Sequence, residues 1–256
     1  MDNIEVEIRH NLYEFYDQMA QLCGIYSEKQ DCWSVIRNTP KVWPRIIYRI
    51  DDRIVEQKSS AIFSEKVKSG SYPELLIAGD ENIQQLDPFL RGEGYYPFSA
   101  WKGMAFRNMG NIVSPQLPET IQIVRCESPD DIEQWIKIVT SELIAPAHLD
   151  KALLERLIYQ PAFEAYLLKY NGSGVSTIFA FNSKTSTGLY FIATQKSAQR
   201  QGFARLLVQN TMFQESLKSS GPIILHATKT AETLYSKLGF LPFNQFFLYR
   251  YLNANL

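Results

Sequence analysis

The chain has 256 residues, of which 45% are hydrophobic, and its 26 lysines and arginines almost balance 27 aspartates and glutamates. The formal net charge of -1 provides no general attraction to nucleic acid or to an acidic membrane, so neither is expected as a partner. The length exceeds one typical domain and favours two small domains or one large one.

Three cysteines, Cys23, Cys32 and Cys126, are an odd number without a close pair, so neither a disulfide framework nor a zinc site is predicted. The acidic first residues are not followed by an apolar run, and eighteen consecutive apolar residues occur nowhere. We therefore expect a cytoplasmic protein that does not span a membrane and holds no metal.

The first half of the chain contains a mixture of helical and strand patterns. Apolar residues at helical spacing predict a helix over 7–20, whereas Pro40 and Pro44 disfavour regular structure in the mixed segment 24–44. The further predicted elements are strands 45–50 and 53–57, a helix 61–68, a strand 74–78, a helix 82–90 and a strand 101–106. A cluster of turn-forming residues over 107–120 predicts a boundary between domains 1–115 and 116–256.

The second half starts a new α/β unit. Its predicted elements are a strand 120–125, a helix after the Ser128-Pro129-Asp130-Asp131 cap, a helix 151–159, strands 163–169, 174–181 and 188–194, a helix 201–218, a strand 223–226, a helix 230–238 and a strand 245–251. The three successive strands joined by short turns favour an antiparallel meander. The expected fold is α/β with a mixed, mostly antiparallel sheet and flanking helices.

The stretch from Gly188 to Ala204 is an apolar strand that runs into a loop whose glycine opens a helix. The first turn of a helix has unpaired backbone N–H groups and the positive end of the macrodipole, which suits a bound phosphate. Gly202 and Ala204 keep side chains away from these groups, and Arg200 and Arg205 provide flanking positive charge. The stretch therefore predicts a pyrophosphate site, although a glycine at a helix start is often merely structural.

A second signature follows after the next predicted strand. Residues 231–240 read Ala-Glu-Thr-Leu-Tyr-Ser-Lys-Leu-Gly-Phe, with Gly239 placed to end a short helix in the left-handed conformation. With these two signatures in this order, the chain resembles the GNAT superfamily of N-acetyltransferases, whose acetyl-CoA motif Arg/Gln-x-x-Gly-x-Gly/Ala is matched by Gln199, Gly202 and Ala204. The clear match covers about residues 120–256.

The resemblance implies how acetyl-CoA binds. The pyrophosphate is expected on the loop amides and the pantetheine arm along the preceding strand end, and Thr228 stands where the family often has asparagine. The implied cofactor-binding residues are Phe191, Ile192, Ala193, Thr194, Gln199, Arg200, Gln201, Gly202, Phe203, Ala204 and Thr228. The glutamate base that the family often has on this strand is missing from 189–194.

The first half contains a partial copy of the second signature. Residues 90–101 align without gaps with residues 235–246 at an offset of 145, which indicates an internal repeat of GNAT-like halves. Leu90 stands where the second half has Tyr235, and no Gln-x-x-Gly-x-Ala motif precedes it. The first half is thus expected to keep the fold without the coenzyme site.

The expected function is acetyl transfer from acetyl-CoA to a primary amine of a small molecule or protein. Tyr235 matches the tyrosine near the leaving sulfur and is the candidate general acid, and His226 is the candidate base. Tyr190 and Thr194 are alternatives that position a water. The sequence also leaves open a non-catalytic acyl-CoA-binding sensor or scaffold, or another nucleotide-binding α/β protein, and it does not identify the acceptor or the oligomeric state.

Overall fold

The computed structural model describes residues 3–252, which form a large sheet with helices on both faces and a separate two-stranded sheet. The helices are α1 (Ile4–Cys23), α2 (Gln57–Lys68), α3 (Ile83–Gly92), α4 (Pro129–Val139), α5 (Lys151–Ile158), α6 (Phe203–Ser216) and α7 (Glu232–Lys237). The strands of the first half are β1 (Tyr26–Lys29), β2 (Ser34–Arg37), β3 (Val42–Trp43), β4 (Arg45–Ile50), β5 (Leu75–Gly79) and β6 (Tyr95–Phe106). Those of the second half are β7 (Ile121–Arg125), β8 (His148–Leu149), β9 (Phe163–Tyr170), β10 (Ser173–Asn182), β11 (Thr187–Thr194), β12 (Ile223–Thr228) and β13 (Leu241–Tyr251).

The expected α/β fold with a mostly antiparallel sheet is confirmed. The main sheet has 11 strands in the order β1-β2-β4-β5-β13-β6-β12-β11-β10-β9-β7, in which only the β4/β5 and β11/β12 pairs are parallel. Helices α1, α4 and α5 pack on one face over a core that spans both halves. On the opposite face, α6 and α7 cover the second half, and α2 and α3 cover the first.

The two halves interlock through their last strands. Strand β13 of the second half lies between β5 and β6, and β6 of the first half lies between β13 and β12. Each half therefore completes the other's part of the sheet. Removing either last strand would leave the backbone N–H and C=O groups of the strands beside it unpaired. The boundary between residues 115 and 116 stays a prediction.

Two sequence expectations for the first half are wrong. The segment 53–57 is not a strand: Asp51 accepts a hydrogen bond from the backbone N–H of Arg53 and starts a 3-10 turn over Asp52–Val55, directly before α2. The mixed segment 24–44 contains three short strands: β1 pairs with β2, β2 pairs with β4, and β3 pairs with β8. Local patterns missed both features, since the first depends on a side-chain cap and the second on distant pairing.

The internal repeat is visible as two equivalent strand-helix-strand runs, β5-α3-β6 and β12-α7-β13. Gly94 and Gly239 occupy the same place in these runs and have left-handed backbone angles of φ 88° and 91°. This conformation is costly for residues with a Cβ, which explains why glycine stands at both positions. The first half accordingly has a GNAT-like fold of its own.

Helix α1 of the first half is bonded to the second half through a buried polar network. The amide nitrogen of Asn11 donates to the Ser186 hydroxyl at 3.0 Å, and the Asn11 amide oxygen accepts from the Tyr190 hydroxyl at 2.7 Å. Asn11 is fully buried. Because every polar atom of this side chain is used, α1 is fixed in register over β11.

Replacing Asn11 with leucine is expected to lower the free energy of unfolding by about 2–3 kcal/mol, since the buried Tyr190 hydroxyl loses its acceptor. Urea unfolding followed by circular dichroism measures this loss. Gln18→Leu on the same helix is the control, because Gln18 is half-buried and bonds only to Glu14. Equal stability of Asn11→Leu and the wild type would show that the network is dispensable.

Candidate active site

Strands β11 and β12 separate part of the way along their length and form a V-shaped opening. They pair in parallel only from Thr187 to Leu189, opposite Ile223 to Leu225. Beyond these pairs, β11 continues to Thr194 and β12 to Thr228 without a ladder between them. The backbone edge of β11 facing the opening is thus available to an extended ligand.

A bulge in β11 separates the two strands. Phe191 has a left-handed φ of 49°, and the register against β10 shifts between Thr177 and Phe179. The bulge is held by β10 hydroxyls, as Thr177 donates to the Phe191 carbonyl at 2.9 Å and Ser176 to the Ala193 carbonyl at 2.8 Å. A bulge bends its strand and re-aims its side chains, and here it turns β11 away from β12.

The loop after β11 presents a row of free backbone donors. In the described chain, the six consecutive amides from Arg200 to Arg205 donate to no protein acceptor, and bonding resumes at Leu206. Gly202 has a φ of 84° and a Cβ added to it would meet nothing within 4 Å, so the space above the loop is open. Arg200 and Arg205 are exposed and form no ion pair with a described residue. Six free amides at a helix start, flanked by two cations, provide a fitting cradle for a pyrophosphate.

The remaining predicted cofactor residues lie around the opening. Gln199 donates to the Thr194 carbonyl at 3.1 Å, which ties the loop back to the strand. Thr228 ends β12 on the other side of the opening and is exposed. Phe203 is buried and packs against Tyr170, with ring centroids 5.2 Å apart, and so anchors the first turn of α6.

Tyr235 lies on α7 and belongs to the same apolar cluster as Leu189, Leu225 and Phe203. It is 5% exposed, and its hydroxyl forms no hydrogen bond with the described residues. Burial raises its pKa above the usual value, so the hydroxyl keeps its proton at neutral pH. The group is therefore suited to donate a hydrogen bond or a proton, and unsuited to accept one as a base.

His226 lies at the vertex of the opening but on the opposite face of the sheet from Tyr235. The ring is surrounded by aromatic side chains, and both of its nitrogens are buried without a hydrogen-bond partner among residues 3–252. Burial lowers its pKa to about 3, so it is neutral at physiological pH. A base needs a pKa near the working pH and access to its proton, and this environment argues against that role for His226.

The burial of the His226 nitrogens predicts that the protein becomes less stable in acid. Below about pH 6.5 the unfolded chain binds a proton that the folded chain excludes, so stability falls as the pH drops from there towards 3. Between pH 7 and pH 4.5, we expect the free energy of unfolding of the His226→Phe variant to fall by about 2 kcal/mol less than that of the wild type. Urea unfolding at both pH values measures this difference. Equal losses in the two proteins would show that the ring is protonated in the folded state.

The first half has the same architecture with its opening closed. Arg49 repeats the positive φ of Phe191, but β4 and β5 continue to pair as far as Ile50 opposite Ala78. In the loop that follows, Ile54 donates its backbone N–H to the Asp51 carbonyl, and the Asp51 carboxylate accepts from Arg53. The backbone amides of Arg53 and Ile54 are thus already bonded, and Asp51, Asp52 and Glu56 place negative charge just before α2, which makes this loop less suited to a pyrophosphate than the loop before α6.

Several contributors to the site were missed in the sequence. The hydroxyls of Ser176 and Thr177 that hold the bulge carry no motif, because their role depends on the strand that pairs beside them. Asn11, which bonds Tyr190 from the other half, likewise has no local signal.

Among the described residues no helix is long and apolar enough to cross a membrane.

Residues 127–248 match the family model of the acetyltransferase (GNAT) domain. The structure is similar to a GCN5-related N-acetyltransferase from Kribbella flavida, with a TM-score of 0.68 and 16% identity over 93% of this chain and 94% of that one. A GCN5-related N-acetyltransferase from Sphaerobacter thermophilus gives a TM-score of 0.65 and 13% identity over 85% and 75% of the two chains.

A tandem GNAT protein from the clavulanic acid biosynthesis pathway gives a TM-score of 0.55 and 10% identity over 87% of this chain and 83% of that one. At these identities the likeness shows the fold alone. No curated protein matches the sequence. Residues 127–248 therefore match the acetyltransferase (GNAT) domain, and the chain as a whole has the fold of GNAT proteins, with a GNAT-like fold in its first half as well.

Proposed function

We propose that the protein transfers the acetyl group of acetyl-CoA to a primary amine of a small molecule or protein. The single observation that carries this proposal is the row of six free amides from Arg200 to Arg205 beside the open edge of β11. A phosphate group accepts several such donors at once, and a pantetheine arm contains amides that suit a strand edge. The match of residues 127–248 to the acetyltransferase (GNAT) domain supports the same choice of ligand.

The residues that would hold acetyl-CoA follow from this geometry. Gln199, Arg200, Gln201, Gly202, Phe203 and Ala204 form the cradle for the pyrophosphate. Phe191, Ile192, Ala193 and Thr194 provide the strand edge, and Thr228 borders the opening from β12. When bound, the thioester supplies an activated acetyl group.

Tyr235 is the proposed general acid. The transfer forms a carbon–nitrogen bond and breaks a carbon–sulfur bond, so one proton must leave the amine and one must reach the sulfur. The protonated Tyr235 hydroxyl, which has no hydrogen-bond partner among the described residues, supplies the proton that reaches the sulfur. Water accepts the proton that leaves the amine. Because His226 is neutral and its nitrogens are enclosed, the chain relies on positioning and on this donor more than on a side-chain base.

The proposal is tested with the full chain, acetyl-CoA and a panel of primary amines, with release of free thiol as the readout. Turnover with at least one amine, together with calorimetric binding of CoA, is the expected result. Binding without transfer to any amine would favour the sensor or scaffold, for which the absence of an evident base is the motivating observation. Failure to bind CoA at all would leave only another nucleotide-binding function.

A further inference from the structure

A continuous row of partly exposed aromatic side chains lies along the V-shaped opening, on the face covered by α1. We call it the aromatic wall, and its members are Trp43, Tyr190, Phe191, Trp101 and His226. Ring centroids are 5.0 Å apart for Trp43 and Phe191, 6.0 Å for Tyr190 and His226, and 6.1 Å for Trp101 and His226. None of the five is fully buried, although the two His226 nitrogens are.

The wall begins at the point where the strands separate. Leu189 and Leu225 are the last parallel pair, and Tyr190 and His226 are the next residues of their strands. Neighbouring residues of a regular strand point to opposite faces, but the bulge at Phe191 places it on the same side as Tyr190. Both rings contact Phe15 of α1. The wall therefore borders the opening between β11 and β12 that is proposed to hold acetyl-CoA, on the opposite face of the sheet from Tyr235.

Both halves of the chain build the wall. Trp43 and Trp101 come from the first half. Phe15 of α1, also in the first half, stacks on Tyr190 with ring centroids 4.2 Å apart and an angle of 8° between the ring planes. Trp101 reaches the opening because β6 is inserted beside β12, where it lies opposite Thr228. Trp43 is carried there by β3, which pairs with β8 of the second half. The half without a coenzyme site thus contributes side chains to the half that has one.

The chemistry of the wall favours the flat face of another ring. The Tyr190 hydroxyl is already bonded to Asn11, and His226 is uncharged, so the wall offers ring faces more than hydrogen-bond groups. Burial raises the pKa of Tyr190 well above its usual value, so its hydroxyl stays protonated and uncharged. Aromatic faces bind other rings and cations.

Resting on the proposed acetyl transfer, we propose that the acceptor is an amine that carries an aromatic ring, and that its ring packs against the aromatic wall of Trp43, Tyr190, Phe191, Trp101 and His226. The amine then lies between the wall and the thioester. The first half acts in this arrangement as the specificity-determining part of the enzyme.

The test compares 2-phenylethylamine, 2-cyclohexylethylamine and propylamine as acceptors with the full chain. The value of kcat/KM is expected to be about tenfold higher for 2-phenylethylamine than for propylamine, with the cyclohexyl amine between them. In Trp101→Leu and Trp43→Leu this preference is expected to fall about fivefold while the KM for acetyl-CoA stays the same. Thermal unfolding with and without CoA shows whether each variant is folded and still binds the coenzyme.

Phe98→Leu is the matched control, since Phe98 is an exposed ring on the same strand as Trp101 and packs on Arg250 outside the wall. Its amine preference is expected to equal that of the wild type. Equal changes for all three amines in the wall variants would overturn the proposal. The proposal would also be overturned if the wall variants changed the preference between acetyl-CoA and benzoyl-CoA but kept the amine preference, because the wall would then hold the acyl group.

Binding without turnover separates this proposal from the proposed function. If no amine is acetylated, calorimetry of 2-phenylethylamine against the protein saturated with CoA tests the wall directly. Binding that is lost in Trp101→Leu and kept in Phe98→Leu supports the wall even though the reaction fails. The absence of binding in the wild type overturns it.

Discussion

Gly202→Val is expected to weaken the binding of CoA by about 100-fold or more. Gly202 has a φ of 84°, which costs a residue with a Cβ about 1–2 kcal/mol, and more for a β-branched one. The backbone would relax towards negative φ and turn the amides on either side away from the pyrophosphate. The loss of two charge-assisted hydrogen bonds, at about 1.5–3 kcal/mol each, accounts for the stated factor. Isothermal titration calorimetry with CoA measures it.

Gly172→Val is the matched control for backbone strain. Gly172 has a φ of 81° in the turn between β9 and β10, and a Cβ there also meets nothing within 4 Å. Both variants are expected to lose similar stability, but Gly172→Val should bind CoA as tightly as the wild type. If Gly202→Val binds within threefold of the wild type, the loop does not hold the pyrophosphate, and the six free amides need another explanation.

The strand, loop and helix start around Gly202 could be predicted from the sequence because their determinants are local. A strand, a glycine that permits positive φ and a helix start are consecutive in the chain, so the pattern around Gly202 can be recognised without any tertiary information. The same holds for the helix cap at Gly239 and for its counterpart Gly94, which identified the repeat.

The acceptor side could not be predicted in the same way because its parts meet only in the folded sheet. The position of His226 at a strand end made it a candidate base in the sequence. In the structure its ring is surrounded by Trp101, Phe246 and Tyr190, which come from three other strands. Trp101 reaches this place only because the last strands of the two halves are exchanged, and no local pattern records such an exchange. For the same reason the sequence did not show that the first half, which was expected to keep the fold without the coenzyme site, contributes α1, β3 and β6 to the opening.

Tyr235→Phe is expected to lower kcat by about 100-fold, the lower end of what a positioned general acid contributes, with the affinity for acetyl-CoA unchanged. The phenyl ring keeps the packing on Phe240, where the centroids are 6.0 Å apart, and removing a hydroxyl without a protein partner leaves no buried atom unsatisfied. Stability should therefore stay within about 0.5 kcal/mol of the wild type. Single-turnover measurement at saturating acetyl-CoA separates the transfer step from product release.

Tyr95→Phe is the control that separates loss of packing from loss of a proton donor. Tyr95 is also buried, but its hydroxyl donates to the Pro73 carbonyl at 2.7 Å in the first half, away from the opening. This variant is expected to lose about 1 kcal/mol of stability with kcat unchanged, the reverse of the pattern for Tyr235→Phe. A Tyr235→Phe variant that keeps kcat within threefold would show that the sulfur is protonated by water, and Tyr235 would then serve only to pack α7 against the strands that form the opening.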